Sequence, residues 1–181
     1  LIDQAAGKSD ISLSRPGETV EVKRAGQAPL SVNYTIPGTV PVIKQPTNMT
    51  CWAAVATMMK SWKDGASYTI QQVMDMVGAF YRNKFDNNQG LTIDEVNDLY
   101  TALGLMQEPP VSYSLDLFLR LLKAYGPLWI TADVDPTSSF MMHARIVTGM
   151  FGDGSDDGTY VRIIDPANGS IYLRTFRQVM D

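Results

Sequence analysis

The chain has 181 residues, of which 45% are hydrophobic and 19% are charged, and its formal net charge at neutral pH is −4. This length and composition are typical of one globular domain with a sizeable core. Because no run of basic residues and no apolar stretch of bilayer-spanning length is present, we expect neither a nucleic-acid partner nor a membrane span.

The first part of the chain predicts an arm followed by short strands. Residues 1 to about 10 are small and polar without periodicity, which is typical of a mobile arm. Between Ile11 and Ile36, short alternating apolar runs are separated by turns, a pattern that favours a small β hairpin. We therefore divide the chain into an N-terminal arm with a short β segment, residues 1–36, and a main domain, residues 37–181.

The two ends of the chain suggest a fragment or a processed domain. The chain begins with Leu and shows no signal peptide. At the other end, a helix is predicted to begin at Thr175 shortly before the last residue, so we expect the main domain to be truncated there.

Cys51 is the only cysteine, and a long helix is predicted to begin beside it. Thr50 is a typical N-cap residue. Apolar residues then recur at helical spacing: Trp52, Val55, Ala56 and Met59. A helix N-terminus favours the thiolate, which is the nucleophilic form of cysteine. Taken alone, Cys51 could equally be a small buried hydrophobic residue, as most free cysteines are.

Gln45 lies six residues before Cys51, across a Pro-Thr-Asn turn. Its amide, together with the backbone N–H of Cys51, could form an oxyanion hole for an acyl-transfer intermediate. This spacing and the Cys51-Trp52 pair resemble the nucleophile region of papain-like cysteine peptidases. The resemblance is to the bacterial members, the double-glycine leader peptidases and the secreted effector proteases of plant-associated bacteria. The Cys-Gly-Ser/Ala-Cys run of papain itself is absent.

Three further helices are predicted before the second half of the chain. Apolar periodicity predicts a helix from Thr69 to Phe80, followed by a polar loop from Asn83 to Gly90. A capping box predicts a helix from Thr92, closed by Gly104. After a Pro109-Pro110 linker, Ser114 caps a helix that runs to Gly126.

The second half of the chain predicts an antiparallel sheet. The strands are expected at residues 128–132, 143–149, 160–165 and 170–174. Helices first and a sheet second make an α+β fold. The resemblance implies a papain-like peptidase fold, in which an N-terminal helical lobe carrying the Cys51 helix packs on a C-terminal antiparallel β-sheet lobe.

His143 is the only histidine, and a thiol nucleophile needs a base that is itself oriented by a third group. His143 opens a predicted strand after the Pro136–Met142 loop, and Asp165 ends the next predicted strand. In such a hairpin the two ends lie side by side, so the carboxylate could reach the imidazole. Taken singly, His143 could be a structural residue and Asp165 a turn residue before proline.

Over about residues 40 to 176, the resemblance implies four roles and no cofactor. Cys51 would be the nucleophile, His143 the general base and then acid, Asp165 the residue that orients His143, and Gln45 an oxyanion-hole donor. Papain has Asn where this chain has Asp165, which fits the bacterial branches better. The Cys-to-His separation is also shorter than in papain, so substrate pockets do not carry over.

A metal site is the weaker interpretation of one acidic loop. Asp153–Gly158 imitates the first half of a calcium loop, but Ile164 occupies the twelfth position and strands flank the loop. No His/Cys cluster suits zinc. We therefore predict a solvated hairpin turn and no metal.

The leading hypothesis is a cysteine peptidase that cuts a protein or peptide through an acyl-thioester on Cys51. An amidase, deamidase or transglutaminase with the same triad is one alternative, and a non-catalytic papain-like peptide-binding module is another. The resemblance suggests a secreted effector or toxin domain delivered into a target cell, with the bacterial cytoplasm as the alternative location. A cognate inhibitor or immunity protein would then be a further partner.

Overall fold

The computed structural model describes residues 2–3, 32–109, 111–133 and 142–181, which form six strands and six helices. The strands are β1 (Ile2–Asp3), β2 (Val32–Thr35), β3 (Leu128–Asp133), β4 (Met142–Gly152), β5 (Thr159–Asp165) and β6 (Ser170–Thr175). The helices are α1 (Cys51–Asp64), α2 (Ile70–Val77), α3 (Ala79–Asp86), α4 (Ile93–Leu103), α5 (Leu115–Tyr125) and α6 (Phe176–Met180). The predicted α+β class is confirmed.

All six strands belong to one antiparallel sheet. Its order is β1-β3-β4-β5-β6, and β2 also pairs with β4. Strand β4 is long enough for two partners on one edge: β3 pairs with its first half and β2 with its second half, while β5 takes the other edge. The register shifts between Val147 and Gly149, where a Cβ would come within 2.8 Å of the Tyr34 carbonyl oxygen. Glycine therefore lets β2 join the sheet at this bulge.

Helix α1 is the buried centre of the molecule. Ten of its fourteen residues are buried, and it packs against β4 and α2. A helix that is apolar on nearly all sides must be covered on nearly all sides. It ends at Gly65, which takes the left-handed conformation with φ 63°. Its first residue, Cys51, is thereby held against the sheet.

The predicted helix from Thr69 to Phe80 is wrong in its extent. Gly78 has φ 119° and ψ 161°, which no helical residue adopts, so the chain breaks there into α2 and α3. Helix α3 then continues to Asp86 because Tyr81 and Phe85 are buried. The predicted polar loop is correspondingly shorter.

The other helix boundaries follow their capping signals. Thr92 and Glu95 form the predicted capping box, and Gly104 ends α4 in the left-handed conformation. Ser114 caps α5 by accepting from the Leu117 amide. Thr175 begins α6, as predicted. No helix in the described ranges is both long and apolar enough to cross a membrane.

Part of the predicted N-terminal segment joins the main sheet. The last of the short runs expected between Ile11 and Ile36 contains β2, whereas Ile2–Asp3, predicted as part of a mobile arm, pairs with β3. The rest of the predicted arm and hairpin, Pro110 of the linker, and most of the Pro136–Met142 loop lie outside the described residues. The division of the chain at residue 36 stays a prediction.

Candidate active site

Cys51 is the first residue of α1 and is 8% exposed. Thr50 is the N-cap residue, but its side chain accepts no hydrogen bond from the helix, so the predicted capping interaction is wrong. Its hydroxyl instead donates to the Thr47 carbonyl oxygen at 2.9 Å. The amides of the first turn are therefore left for other acceptors, and the Trp52 amide contributes to lowering the pKa of the Cys51 thiol.

The predicted oxyanion donor, Gln45, is held at both its backbone and its side chain. Its backbone N–H donates to the Pro166 carbonyl oxygen at 2.8 Å, and Nε2 donates to the Thr47 carbonyl oxygen at 2.8 Å. The residue is 9% exposed, and its Oε1 has no hydrogen-bond partner among the described residues. The amide is thus fixed in the turn that leads into Cys51, with one N–H of Nε2 uncommitted.

His143 and Asp165 meet across the β4–β5 pair. The register pairs Ile146 with Ile164, and one further step puts residue 145 opposite residue 165. Since alternate residues of a strand share a face, residues 143, 145 and 165 lie on one face. His143 Nε2 lies 2.7 Å from Asp165 Oδ1. The structure therefore brings together the two residues that the sequence pairs.

The Asp165 carboxylate accepts four hydrogen bonds. Its Oδ1 accepts from His143 Nε2 and from the Ala167 amide at 2.9 Å. Its Oδ2 accepts from Arg145 Nε at 3.0 Å and from the Tyr172 hydroxyl at 3.2 Å. Burial alone would raise the pKa of Asp165, but His143, the Ala167 amide and the charge of Arg145 lower it below its ordinary value. Asp165 is therefore ionised, and it can only accept.

Two residues of the site, Arg145 and Tyr172, were not predicted, although strand periodicity could have found both. Arg145 lies two residues after His143, on the same face of β4. Tyr172 pairs with Ile163, two residues before Asp165, so it shares that face of the sheet. For Tyr172 this periodicity must be combined with the strand register, which the sequence alone leaves open.

Cys51 and His143 interact, and each side chain shifts the pKa of the other. Because Nε2 of the imidazole faces Asp165, the nitrogen that faces the sulfur is Nδ1. Burial raises the pKa of Cys51, but the His143 hydrogen bond and the Ala144 and Trp52 amides outweigh it, so the net pKa is lowered. Burial lowers the pKa of His143, but Cys51 and Asp165 outweigh it and raise the pKa overall. Both shifts favour a thiolate–imidazolium pair.

A turn after α3 holds the segment that carries Cys51. Asn88, at φ 51°, accepts from the Met49 amide at 3.0 Å and donates to Asn48 Oδ1 at 2.9 Å. The Trp52 indole donates to the Gln89 carbonyl oxygen at 3.1 Å. The predicted polar loop thus contacts the chain on both sides of Cys51, a role that its composition does not reveal.

An open cavity of about 580 Å³ lies beside His143. One wall comes from the turn before Cys51 and the other from the strand ends: Lys44, Gln45, Pro46, Thr47, Asn48, His143, Arg145, Asp165 and Ala167. The Cys51 side chain is not part of this lining. The cavity is therefore lined by His143 and by the turn that leads into Cys51, and not by Cys51 itself.

The acidic loop between β4 and β5 is held by its own side chains. Asp153 Oδ1 accepts from the amide and the hydroxyl of Ser155. Arg177 of α6 forms an ion pair with Asp157. In the described part of the chain, no group of three or more His, Cys, Asp or Glu side chains is arranged to hold a metal ion.

The comparisons with known proteins gave one match. A family model described as papain-like cysteine protease AvrRpt2 matches residues 30–180 of this chain. Neither the comparison with curated proteins nor that with solved structures gave a match. The matched range contains Gln45, Cys51, His143 and Asp165.

Proposed function

We propose a catalytic mechanism from one premise: the chain belongs to the papain-like cysteine protease AvrRpt2 family and is a hydrolase that acts on protein substrates. In this mechanism Cys51 is the nucleophile, His143 the general base and acid, Asp165 the residue that orients His143, and Gln45 an oxyanion donor. The observation that carries the proposal is the 2.7 Å contact between His143 Nε2 and Asp165 Oδ1. The same imidazole lowers the pKa of the Cys51 thiol, which supports its role as the partner of the nucleophile.

The arrangement of the two lobes is part of the same proposal. A helical lobe around α1 packs on the antiparallel sheet, and the nucleophile and the base come from opposite sides of the contact. The packing of α1 against β4 supports this arrangement, because it sets the first residue of the helix beside the first residues of the strand. The substrate would lie across the contact between the lobes.

Attack begins from the thiolate–imidazolium pair. The sulfur bonds to the carbonyl carbon of the scissile peptide bond, and the C=O electron pair moves onto oxygen. The backbone N–H of Cys51 and the uncommitted N–H of Gln45 Nε2 would donate to that oxyanion. Such donors act on the charge that develops in the transition state, so they lower the barrier and not merely the ground-state energy.

Proton transfer from His143 completes acylation. Since Asp165 is ionised and accepts from Nε2, the proton of Nε2 stays in place and Nδ1 exchanges protons with the reactants. The Nδ1 proton passes to the leaving nitrogen as the C–N bond breaks. The amine fragment departs, and an acyl-thioester remains on Cys51.

Hydrolysis then reverses these roles. Neutral His143 takes a proton from water as the water oxygen bonds to the thioester carbon. The second tetrahedral intermediate collapses by breaking the C–S bond, which releases the carboxylic acid. The thiolate and the imidazolium are restored, so one water is consumed for each peptide bond.

The biological setting is a further part of the proposal. The family is a bacterial effector family, which supports delivery of this protein into a host cell. A toxin action and a cognate inhibitor or immunity protein are expectations from the sequence that this setting would accommodate. An amidase, deamidase or transglutaminase would use the same acyl-thioester, and no contact of the described residues favours one of them.

The test is proteome cleavage by the wild-type protein beside Cys51→Ala. New peptide N-termini should appear with the wild type and be absent with the variant, as read by N-terminal labelling and mass spectrometry. The variant should melt within a few degrees of the wild type, because the substitution removes a single heavy atom. Identical peptide patterns for the two proteins would contradict the proposal.

A further inference from the structure

We propose that the cavity beside His143 binds a carboxylate of the substrate, in the fragment that leaves when the peptide bond is cut. Lys44 and Arg145 are the residues that recognise this carboxylate. The inference rests on the proposed function, and it adds a substrate preference to it.

The position of the cavity assigns it to the leaving fragment. His143 lines the cavity, whereas Cys51 does not. A general acid must lie within hydrogen-bond reach of the nitrogen that it protonates. The chain that follows this nitrogen therefore starts beside His143, and the cavity that His143 lines is within reach of the first residue after the scissile bond.

The charge of the cavity favours an anion. Its lining carries two permanent cations, Lys44 and Arg145, against one carboxylate, Asp165. Asp165 already accepts four hydrogen bonds from the protein, so it offers little to a substrate cation. Protonated His143 adds a third positive charge during attack. In a protein of net charge −4, this cavity is a local positive site.

Arg145 keeps donors free for a ligand. Its Nε donates to Asp165 at 3.0 Å, and its two terminal nitrogens have no acceptor among the described residues. The ion pair fixes the guanidinium, which is about one quarter exposed at 23%. The terminal nitrogens of a fixed guanidinium suit a carboxylate, because they can donate two parallel hydrogen bonds to its oxygens.

Lys44 stands on an anchored backbone at the rim of the same cavity. The next residue, Gln45, donates its backbone N–H to the Pro166 carbonyl oxygen. Gly169, at φ 69°, lies so close that an added Cβ would come within 3.3 Å of Lys44 Cβ. Within the described ranges Lys44 has no ion-pair partner, so its ammonium is free to meet a second charge. The fixed backbone lowers the entropy lost on binding.

Two sources can supply the carboxylate. One is an Asp or Glu side chain at the residue after the scissile bond, and the other is the free C-terminus of a short leaving fragment. Both present the same planar anion to Lys44 and Arg145. They differ in where the substrate is cut, within a chain or next to its end.

The experiment uses peptides built on a cleavage site found with the wild-type protein. In one series the residue after the scissile bond is Asp, Asn, Glu, Gln or Lys, and kcat/KM is measured for each. In a second series the peptide ends at that residue, as a free acid or as an amide. We expect kcat/KM for a peptide with the acid to exceed kcat/KM for its matched amide by about fivefold to tenfold. This is the range for a partly exposed charge-assisted hydrogen bond.

The two series identify the source of the carboxylate. A side-chain preference shows in the Asp/Asn and Glu/Gln ratios, whereas a terminal preference shows in the acid/amide ratio. Ratios near one in both series would overturn the inference while leaving the peptidase intact. Absence of any Cys51-dependent cleavage would overturn the proposed function, and this inference with it.

Charge reversal at Lys44 is the decisive variant. Lys44→Glu should reduce or invert the preference, with Lys peptides gaining relative to Asp peptides. Arg162→Glu is the matched control, because it makes the same charge change on β5 but does not line the cavity. If Arg162→Glu shifts the preference for acidic peptides as much as Lys44→Glu does, the net charge of the protein sets that preference. The inference about this cavity would then be overturned. Arg145 is less suitable for this test because it also holds Asp165.

Discussion

At the residue scale, the reactivity of Cys51 depends on one partner. Burial opposes the thiolate, and the His143 hydrogen bond is the largest of the effects that favour it. The thiolate–imidazolium pair exists between the lowered pKa of Cys51 and the raised pKa of His143. Turnover should therefore rise as pH increases through the first value and fall as pH increases through the second.

Alkylation by iodoacetamide isolates the first of these pKa values. In the wild type the rate should reach half its plateau below the ordinary thiol value of about 8.5. In His143→Ala the midpoint should move upward, because burial of the thiol remains while its main hydrogen-bond partner is gone. Rate profiles that coincide for the two proteins would contradict the ion pair.

Asp165 presents two oxygens that both accept, which makes the change to Asn informative. An Asn can offer its oxygen to His143 and Ala167, but its NH₂ group would then face Arg145 Nε. Asp165→Asn should therefore lose less than about tenfold in kcat, and Asp165→Ala about tenfold to a hundredfold. Steady-state turnover measures the loss of kcat in each variant, and the melting temperature shows whether the variant remains folded.

The Arg145 contact supplies the control for that series. In an Arg145→Gln background the NH₂ group introduced by Asp165→Asn would meet an acceptor, so this substitution should cost less there than in the wild type. If turnover is equal in the wild type and in the Asn and Ala variants, Asp165 does not orient His143. Asn168 is then no substitute in the present geometry, since it lies exposed in the turn and accepts from the Ser170 amide.

Gln45→Ala tests the oxyanion donor. Removal of one such donor lowers turnover by about a hundredfold to a thousandfold. The free energy of unfolding should change little, because the backbone hydrogen bond from Gln45 to the Pro166 carbonyl oxygen remains. Measured kcat on an identified substrate, with the melting temperature as the control, decides it. An unchanged kcat would remove Gln45 from the site.

At the element scale, the turn after α3 holds the segment directly before Cys51. Asn88 contacts Asn48 and Met49, directly before Thr50, and residue 88 has φ 51°. Asn88→Gly keeps this backbone conformation but removes both side-chain hydrogen bonds, so kcat should fall by about tenfold while the fold persists. Turnover and the alkylation rate of Cys51 are the measurements.

Asn88→Ala separates the side chain from the backbone. It removes the same hydrogen bonds and also leaves a left-handed conformation to Ala, which lacks the polar side chain that lets Asn tolerate it, at a cost of about 1 kcal/mol in the free energy of unfolding. The two variants should share the loss of kcat and differ in stability. Full activity in Asn88→Gly would mean that the turn does not position Cys51.

Local signals predicted most helix boundaries, at both the N-terminal and the C-terminal ends. The caps of α4, α5 and α6 were all predictable, because each involves residues within three positions. The break at Gly78 was not predicted, since an isolated glycine is tolerated in many helices and only burial of the flanking faces decides. At Thr50 the local signal was misleading. Its side chain is of a typical capping type, but its hydroxyl donates to the Thr47 carbonyl oxygen and does not cap the helix.

At the scale of the whole molecule, the site is a contact between α1 and the strands that follow it in the chain. The order of helices first and sheet second predicted the α+β class, and the resemblance to papain-like peptidases predicted this contact. The sheet order was not predictable in the same way. Strand β2 pairs with β4, more than a hundred residues away, and such a pairing leaves no short-range mark in the sequence.

Covalent trapping of the acyl-enzyme tests the central claim most directly. A substrate peptide is mixed with the wild-type protein, quenched in acid within milliseconds to seconds, and the intact mass of the protein is measured. We predict a transient gain equal to the N-terminal fragment minus water, mapped by peptide sequencing to Cys51 and absent in Cys51→Ala. Hydrolysis of the peptide with no adduct at any quench time, or an adduct on another residue, would contradict the account.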